Sequence, residues 1–255
     1  MIDEPLSRGT TWIHGLDARF RLVACLALSL VAAVAVTPRA PLVVLGAGLV
    51  LTGLSRPPLG VALRRLVAVN AFVAFLWLVL PFTTPGASAG TVFGLTATRP
   101  GIALALVITL KTNAIFFCIL ALLATIQAPA LGRAMAALGV PDKFAFLFLF
   151  TYRYLHVINE EYGRLATAAR LRGFGPATTL HTYRTYAALV AMVLVRAFDR
   201  SRRVYQAMVL RGFTGRFPSL ETFAARRGDV LFLVCCLSVA ALAGGLDVVS
   251  WRLHG

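Results

Sequence analysis

Apolar residues run almost unbroken from Phe20 to Val36, and Thr37-Pro38-Arg39-Ala40-Pro41 then interrupts them. A second run, Leu42 to Leu54, follows at once; Leu66 to Phe82 makes a third, Ile102 to Ile126 a fourth and Val230 to Val249 a fifth. A helix rises about 1.5 Å per residue and needs about 20 apolar residues to cross a bilayer. The pattern therefore predicts about five transmembrane helices. The first two are short and form a thin hairpin, while the fourth has length to spare and can tilt. Pro81 and the uncharged small residues from Thr83 to Gly90 mark a loop before the fourth.

Between Gln127 and Gly228 the pattern changes, and no uncharged apolar run reaches 18 residues. Phe144 to Phe150 is bounded by Lys143 and Arg153, and Ala187 to Val195 is cut off by Arg196. Both stretches are too short to span and read as the greasy faces of amphipathic helices. Pro141-Asp142 is a helix start, supported by Glu160 and Arg164 at i and i+4. One long helix is predicted from Pro141 to Arg172 and another from about Thr178 to Arg211. The expected fold is an all-α membrane protein in three parts. Residues 1–127 hold four spans at about 20–36, 42–54, 66–82 and 102–126, residues 128–228 form an insert of long amphipathic helices, and residues 229–255 add a last span.

Both long helices close on the same words. Residues 168 to 174 read Ala-Ala-Arg-Leu-Arg-Gly-Phe and residues 207 to 213 read Ala-Met-Val-Leu-Arg-Gly-Phe, so A-x-x-x-R-G-F occurs twice. Pro176 follows the first copy and Pro218 the second. Glycine there suits the left-handed residue that ends a helix. One arginine at a helix C-terminus would do no more than complement the dipole. Two identical ends ask for more, because the dipole does not require Ala168 or Ala207 one turn before the arginine, nor Gly173 or Gly212 after it. The small alanine leaves room for another surface while the guanidinium makes bidentate contacts to a carboxylate. Anionic lipid is the competing partner for Arg172 and Arg211.

Composition agrees with a membrane location: 59% of residues are hydrophobic and 14% charged. The net charge of +15 reports topology rather than a nucleic-acid partner. With the N-terminus inside, the inner segments carry 21 of the 25 Lys and Arg, the insert alone 15 against 5 acidic residues, and the outer segments only Arg39, Arg99 and Arg252. The positive-inside rule then puts the insert in the cytoplasm and the C-terminus outside. No cleavable signal peptide is expected ahead of Phe20. Cys25, Cys118, Cys235 and Cys236 lie in apolar runs and read as packing residues. Four scattered histidines, with no H-E-x-x-H and no phosphate loop, offer no active site or metal site. His156, near Tyr152 and Tyr154, reads as interface polarity, and Glu160 with Glu161 as a solvated ion-pair face. Lys111 is unusual inside a span and reads as held by carbonyls or by Asn70 or Asn113.

These residues resemble the transmembrane T component of energy-coupling factor transporters, most closely the cobalt type. His14-Gly15-Leu16-Asp17-Ala18-Arg19-Phe20-Arg21-Leu22 is similar to the family's H-x-L-D-P-R-x-K-L entry, departing at Ala18 and Arg21. Asn70 to Thr83, with Leu80-Pro81-Phe82-Thr83, resembles the cobalt-type third span, and Leu138-Gly139-Val140-Pro141 followed by Tyr152-Arg153-Tyr154 the lead into the first coupling helix. The two A-x-x-x-R-G copies are the most specific mark. The resemblance implies a non-catalytic scaffold in a bacterial inner membrane. Two cytoplasmic ATPases, which hold the ATP and Mg, would receive the tips Ala168, Arg172 and Gly173 and Ala207, Arg211 and Gly212. A membrane S component, with a small accessory membrane protein possible beside it, would bind the substrate and meet Phe144, Phe148, Tyr152, Val190 and Leu194. No cofactor is expected on this chain. Cobalt is the expected cargo, with nickel or a vitamin as the alternative. A membrane-surface adaptor that binds anionic lipid through the basic insert is the other reading.

Overall fold

The computed structural model describes residues 9, 11–92, 95–213 and 226–254. It is built almost wholly of helices: a 3-10 turn at Trp12–Gly15, then α1 (Ala18–Val34), α2 (Arg39–Ser55), α3 (Leu59–Thr83), α4 (Arg99–Cys118), α5 (Ala128–Ala137), α6 (Asp142–Leu171), α7 (Leu180–Leu210) and α8 (Arg227–His254). The described residues fold as two compact units, residues up to 134 with 226–254, and 135–213.

The first unit holds the apolar helices. Leu59–Thr83, Arg99–Leu123 and Arg227–Ser250 are long and apolar enough to cross a membrane, and Arg39–Ser55 is a shorter apolar helix. At 17 residues each, α1 and α2 extend roughly 25 Å. The core is a seam of small side chains at helical spacing: Ala24, Cys25, Leu28 and Ala32 on α1, Ala114 and Cys118 on α4, and Phe232, Cys236, Ala240 and Ala243 on α8. Small residues let helix backbones close where lipid supplies no hydrophobic drive. Gly48 on α2 shows how closely, since a Cβ there would lie 3.0 Å from the Phe117 Cβ on α4. Three of the four cysteines are buried in this packing and Cys235 is exposed on α8.

Several boundaries differ from the expectation. The third helix begins at Leu59, so Arg64 and Arg65 ride on its first turns and not on a preceding loop. Pro58 starts it, because proline suits the first helical turn, and nothing between Leu59 and Leu66 breaks it. The fourth helix starts at Arg99 and finishes as a π turn, Ile119–Leu123. The loop after α3 holds a small antiparallel hairpin, β1 (Ser88–Val92) against β2 (Leu95–Thr98), which was not foreseen. The short helix α5 was also unforeseen.

Polar groups tie the helix ends and sides. Asn70 on α3 and Asn113 on α4 exchange amide hydrogen bonds at 3.0 and 3.1 Å, and Trp77 Nε1 donates to Thr109 Oγ1 at 2.8 Å. Lys111 does not use either asparagine. Its Nζ donates to the carbonyl of Ala33 at 2.9 Å, an acceptor left over in the last turn of α1. Asp247 on α8 serves the adjoining turn, accepting from the Val36 and Thr37 amides and from Thr37 Oγ1. Lys111 and Asp247 thus converge on the α1–α2 turn.

At the other end of this unit the first turns of α1 are tied twice. The carboxylate of Asp17 caps α1 by accepting from the Arg19 amide and pairs with the Arg19 guanidinium at 2.8 Å. The Asp17 amide in turn donates to Asp229 Oδ1 at 3.1 Å, and Asp229 Oδ2 accepts from the Arg226 amide at 2.8 Å, the reach-back bond of a capping box on α8. One turn along α1, Arg21 is buried and donates to the carbonyl of Leu122 at 3.1 Å and to Thr125 Oγ1.

Candidate functional site

In the second unit α6 and α7 run antiparallel, and their ends share one geometry. After α6 the amide of Phe174 donates to the carbonyl of Ala169 at 3.1 Å and that of Gly173 to Arg170 at 3.0 Å. After α7 the amide of Phe213 donates to Met208 at 3.0 Å and that of Gly212 to Val209 at 3.0 Å. Both are Schellman closures, in which a left-handed residue turns the chain back on its last carbonyls. Gly173 has φ 85° and Gly212 φ 82°. No atom lies within 4 Å of where a Cβ would stand at either. The backbone, not crowding, therefore requires glycine.

Arg172 and Arg211 are the capping residues, with φ of −89° and −93°, and both are exposed, as are Ala168 and Ala207 a turn earlier. The structure adds a residue that the sequence reading passed over. Leu171 is 85% exposed and Leu210 88%, so each tip presents a leucine beside its arginine. The signal was present, since both copies read Leu-Arg-Gly-Phe. The phenylalanine does the reverse and folds inward. Phe174 lies 5.5 Å edge-on from Tyr186 of α7, and Phe213 stacks 6.4 Å from Phe146 of α6. Each tip is thus latched to the base of the other helix. Pro218 lies outside the described residues.

A third closure of the same kind ends α5, where Val140 donates to Met135 and Gly139 to Ala136, with Gly139 at φ 90°. Leu138 stands there in place of arginine. The turn is therefore a general helix stop, and the chemistry that sets the two tips apart is Leu-Arg.

Between α6 and α7 lies an apolar cleft of about 400 Å³, lined by Phe146, Phe150, Tyr154, Ile158, Val193 and Val204 among others. Glu161 is its acidic member. Its carboxylate accepts from Arg196 on α7 and stands 3.8 Å from Arg200, whereas Glu160 pairs loosely with Arg164 at 3.6 Å in solvent. The sequence reading of both glutamates as one solvated face holds for Glu160 alone. Glu161 is a clamp between helices, and it accounts for the arginine that interrupts the apolar run of α7. The bond from Arg196, with the charges of Arg164 and Arg200, holds the Glu161 carboxyl below the usual carboxylate range. A lowered folded-state value means that the stabilisation is fully present above the ordinary carboxylate range and is lost as pH falls through the lowered one. Acidification of the detergent-solubilised protein is thus expected to lower the amide-exchange protection factors along α6 and α7, with Glu161→Gln removing the step. The same acid step in that variant refutes the clamp.

The residues expected to meet a substrate-binding subunit lie on other faces. Phe144, Val190 and Leu194 are exposed, and Phe148 and Tyr152 half-buried. Phe144, Phe148 and Tyr152 repeat every four residues, two positions out of phase with Phe146, Phe150 and Tyr154, and none of the five lines the cleft. His156 is exposed on α6. Among the described residues, no group of three or more His, Cys, Asp or Glu could hold a metal ion.

The long apolar helices make this a membrane protein, and a basic helical hairpin with two matched Leu-Arg tips is its second unit. The family model CbiQ, "Cobalt transport protein", matches residues 9–221, and the chain belongs to that family. It is 31% identical over 227 residues to the cobalt transport protein CbiQ of Rhodobacter capsulatus, an alignment covering 82% of this chain and 92% of that one. A shorter match, 29% identical over 85 residues, is to the uncharacterized protein MJ1089 of Methanocaldococcus jannaschii, covering 33% of this chain and 31% of that one.

Proposed function

We propose that this chain is the transmembrane coupling subunit of an ATP-driven importer of the energy-coupling factor type, and that its cargo is the cobalt ion. The observation that carries the reading is the pair of matched helix ends, each offering an exposed arginine and leucine on a rigid glycine turn. Two equal tips suit two equal receptors, and a pair of ATPase subunits is such a receptor. ATP and Mg belong to those partners, and this chain is a transducer without a catalytic centre. The basic insert and the N-terminus face the cytoplasm and the C-terminus the outside, in keeping with the distribution of arginines.

In this reading the ATPases close on ATP and draw the tips with them. The motion passes along α6 and α7, which swing about the Glu161 clamp while the two aromatic latches keep each tip on its neighbour. The outward stripe of Phe144, Phe148 and Tyr152, with Val190 and Leu194 on α7, then presses on the membrane subunit that holds the cargo. Cobalt is supported by membership of the cobalt transport family.

The test is to express the chain with candidate ATPase and substrate-binding subunits encoded in the same genome, purify through a tag on this chain, and reconstitute into liposomes. Co-purification of the ATPases and the membrane subunit with ATP-dependent uptake of radioactive cobalt is expected. Purification alone, with salt-sensitive retention on vesicles of anionic phospholipid, would favour the lipid-adaptor reading and overturn this one.

A further inference from the structure

Arg21 is an expensive residue for a fold to keep. It is 3% exposed and its described partners, the Leu122 carbonyl and the Thr125 hydroxyl, are neutral. Its Nε, moreover, is buried without a hydrogen-bond partner. A buried charge without a carboxylate lowers stability, and an apolar side chain of similar volume commonly serves a core as well or better. The stability of the helix bundle therefore gives no account of this guanidinium. Its position does. Leu122 belongs to the π turn that ends the fourth apolar helix, and Thr125 is the third residue beyond Leu122. This is where the chain leaves the apolar helices for the segment containing α6 and α7. The chain returns at Arg226, and there Asp229, also 3% exposed, binds the Arg226 amide and the Asp17 amide with its two carboxylate oxygens. One turn of α1, from Asp17 to Arg21, thus holds both stretches of the first unit that flank the insert in sequence.

We propose that Arg21 and Asp229 are positioning residues for energy coupling, fixing the two roots of the insert to α1 so that force on the tips moves the membrane helices and is not lost in swivelling roots. This rests on the coupling-subunit reading. A lever transmits displacement only while its roots are stiff, and here each root is stiffened by bonds to a buried charge. The π turn matters to this, because its wider ring departs from the i−4 bonding of an α-helix and Leu122 offers a carbonyl that a guanidinium can seize. Asp229 works by having two acceptors. An asparagine keeps only one, so Asp229→Asn frees either the first amide of α8 or its tie to α1.

Two measurements test the proposal separately from the reading on which it rests. The first needs no partner: the isolated full chain in nanodiscs, labelled at Leu171 and Leu242 through noncanonical amino acids so that the native cysteines stay, is examined by pulsed electron spin resonance. Arg21→Met, with thermal stability at the wild-type level, and Asp229→Asn, with stability lowered by no more than the loss of one cap, are both expected to broaden the distance distribution, and Arg21→Lys, which still reaches one acceptor, to restore it. The second uses the reconstituted complex, where the same two variants should keep ATP hydrolysis within about twofold of wild type yet lower cobalt uptake per ATP at least about tenfold, the effect of losing a hydrogen bond to a charged group. Unchanged distributions, or uptake that falls only in proportion to the complex recovered, overturn the proposal. A wild-type complex that fails to form or transport refutes the coupling reading instead, and the distance measurement still judges the clasp.

Discussion

If the proposed coupling role is right, reversing charge at both tips, Arg172→Glu with Arg211→Glu, is expected to abolish capture of the ATPase pair and to leave the chain folded. Both side chains are exposed caps, so nothing in the core depends on them. A guanidinium that docks against a carboxylate and is then replaced by a second carboxylate loses its bidentate bonds and gains a repulsion, about 2–5 kcal/mol for a buried pair. Two such losses take binding below detection in a pull-down, and ATP-dependent uptake falls with it. Far-ultraviolet circular dichroism should show undiminished helix. Each single reversal carries half of the argument. If the receptors are independent, either one alone weakens capture by at least about thirtyfold; if the pair acts as one clamp, either one alone is as damaging as both. Undiminished capture by the double variant shows that the tips are not the docking points.

A second large effect is expected at the glycines. Alanine at position 173 or 212 must adopt a φ near +80°, which costs an L-residue roughly 1–2 kcal/mol. With open space around both sites the cost is purely that of the backbone, and the expected relief is an unwinding of the closure, which would turn Leu171 and Arg172, or Leu210 and Arg211, away from the receptors proposed for them. Gly173→Ala with Gly212→Ala should weaken ATPase binding by roughly a hundredfold in surface plasmon resonance. Gly139→Ala makes the comparison, since it bears the same φ in the same kind of turn without an arginine. It should lower thermal stability by the same increment per site and bind the ATPases as wild type does. Equal loss of binding in all three glycine variants would mean that the effect comes from general instability.

The helices were legible because their apolar runs are long and their breakers are prolines, and the tips because one motif is spelled twice. What escaped has identifiable causes. From Phe144 to Tyr154 aromatic residues occur on both sides of the helix, so periodicity alone offers two stripes two residues apart; only the presence of α7 selects Phe146, Phe150 and Tyr154 for the cleft. Glu161 looked like its neighbour Glu160 because the arginine that captures it lies 35 positions away. Arg64 and Arg65 were set outside the helix as charges, although arginine is a good helix former and both lie beyond the first turn of α3. Leu171 and Leu210 went unremarked because a leucine after helical residues reads as core, and only coordinates reveal it turned to water. Lys111 was expected at carbonyls or at Asn70 or Asn113, and its choice of the Ala33 carbonyl follows from the packing of α1 beside α4.

The antiparallel latches carry one more consequence. Because Phe174 rests on Tyr186 and Phe213 on Phe146, the two arginines stand at opposite ends of the hairpin. From Tyr186 to Arg211 the helix climbs 25 residues, roughly 38 Å. In the proposed coupling role the hairpin would be a gauge as well as a strut, accepting a pair of sockets set that far apart and declining a pair set closer. Selection among ATPase dimers would then depend on the spacing of their grooves as much as on the residues that line them.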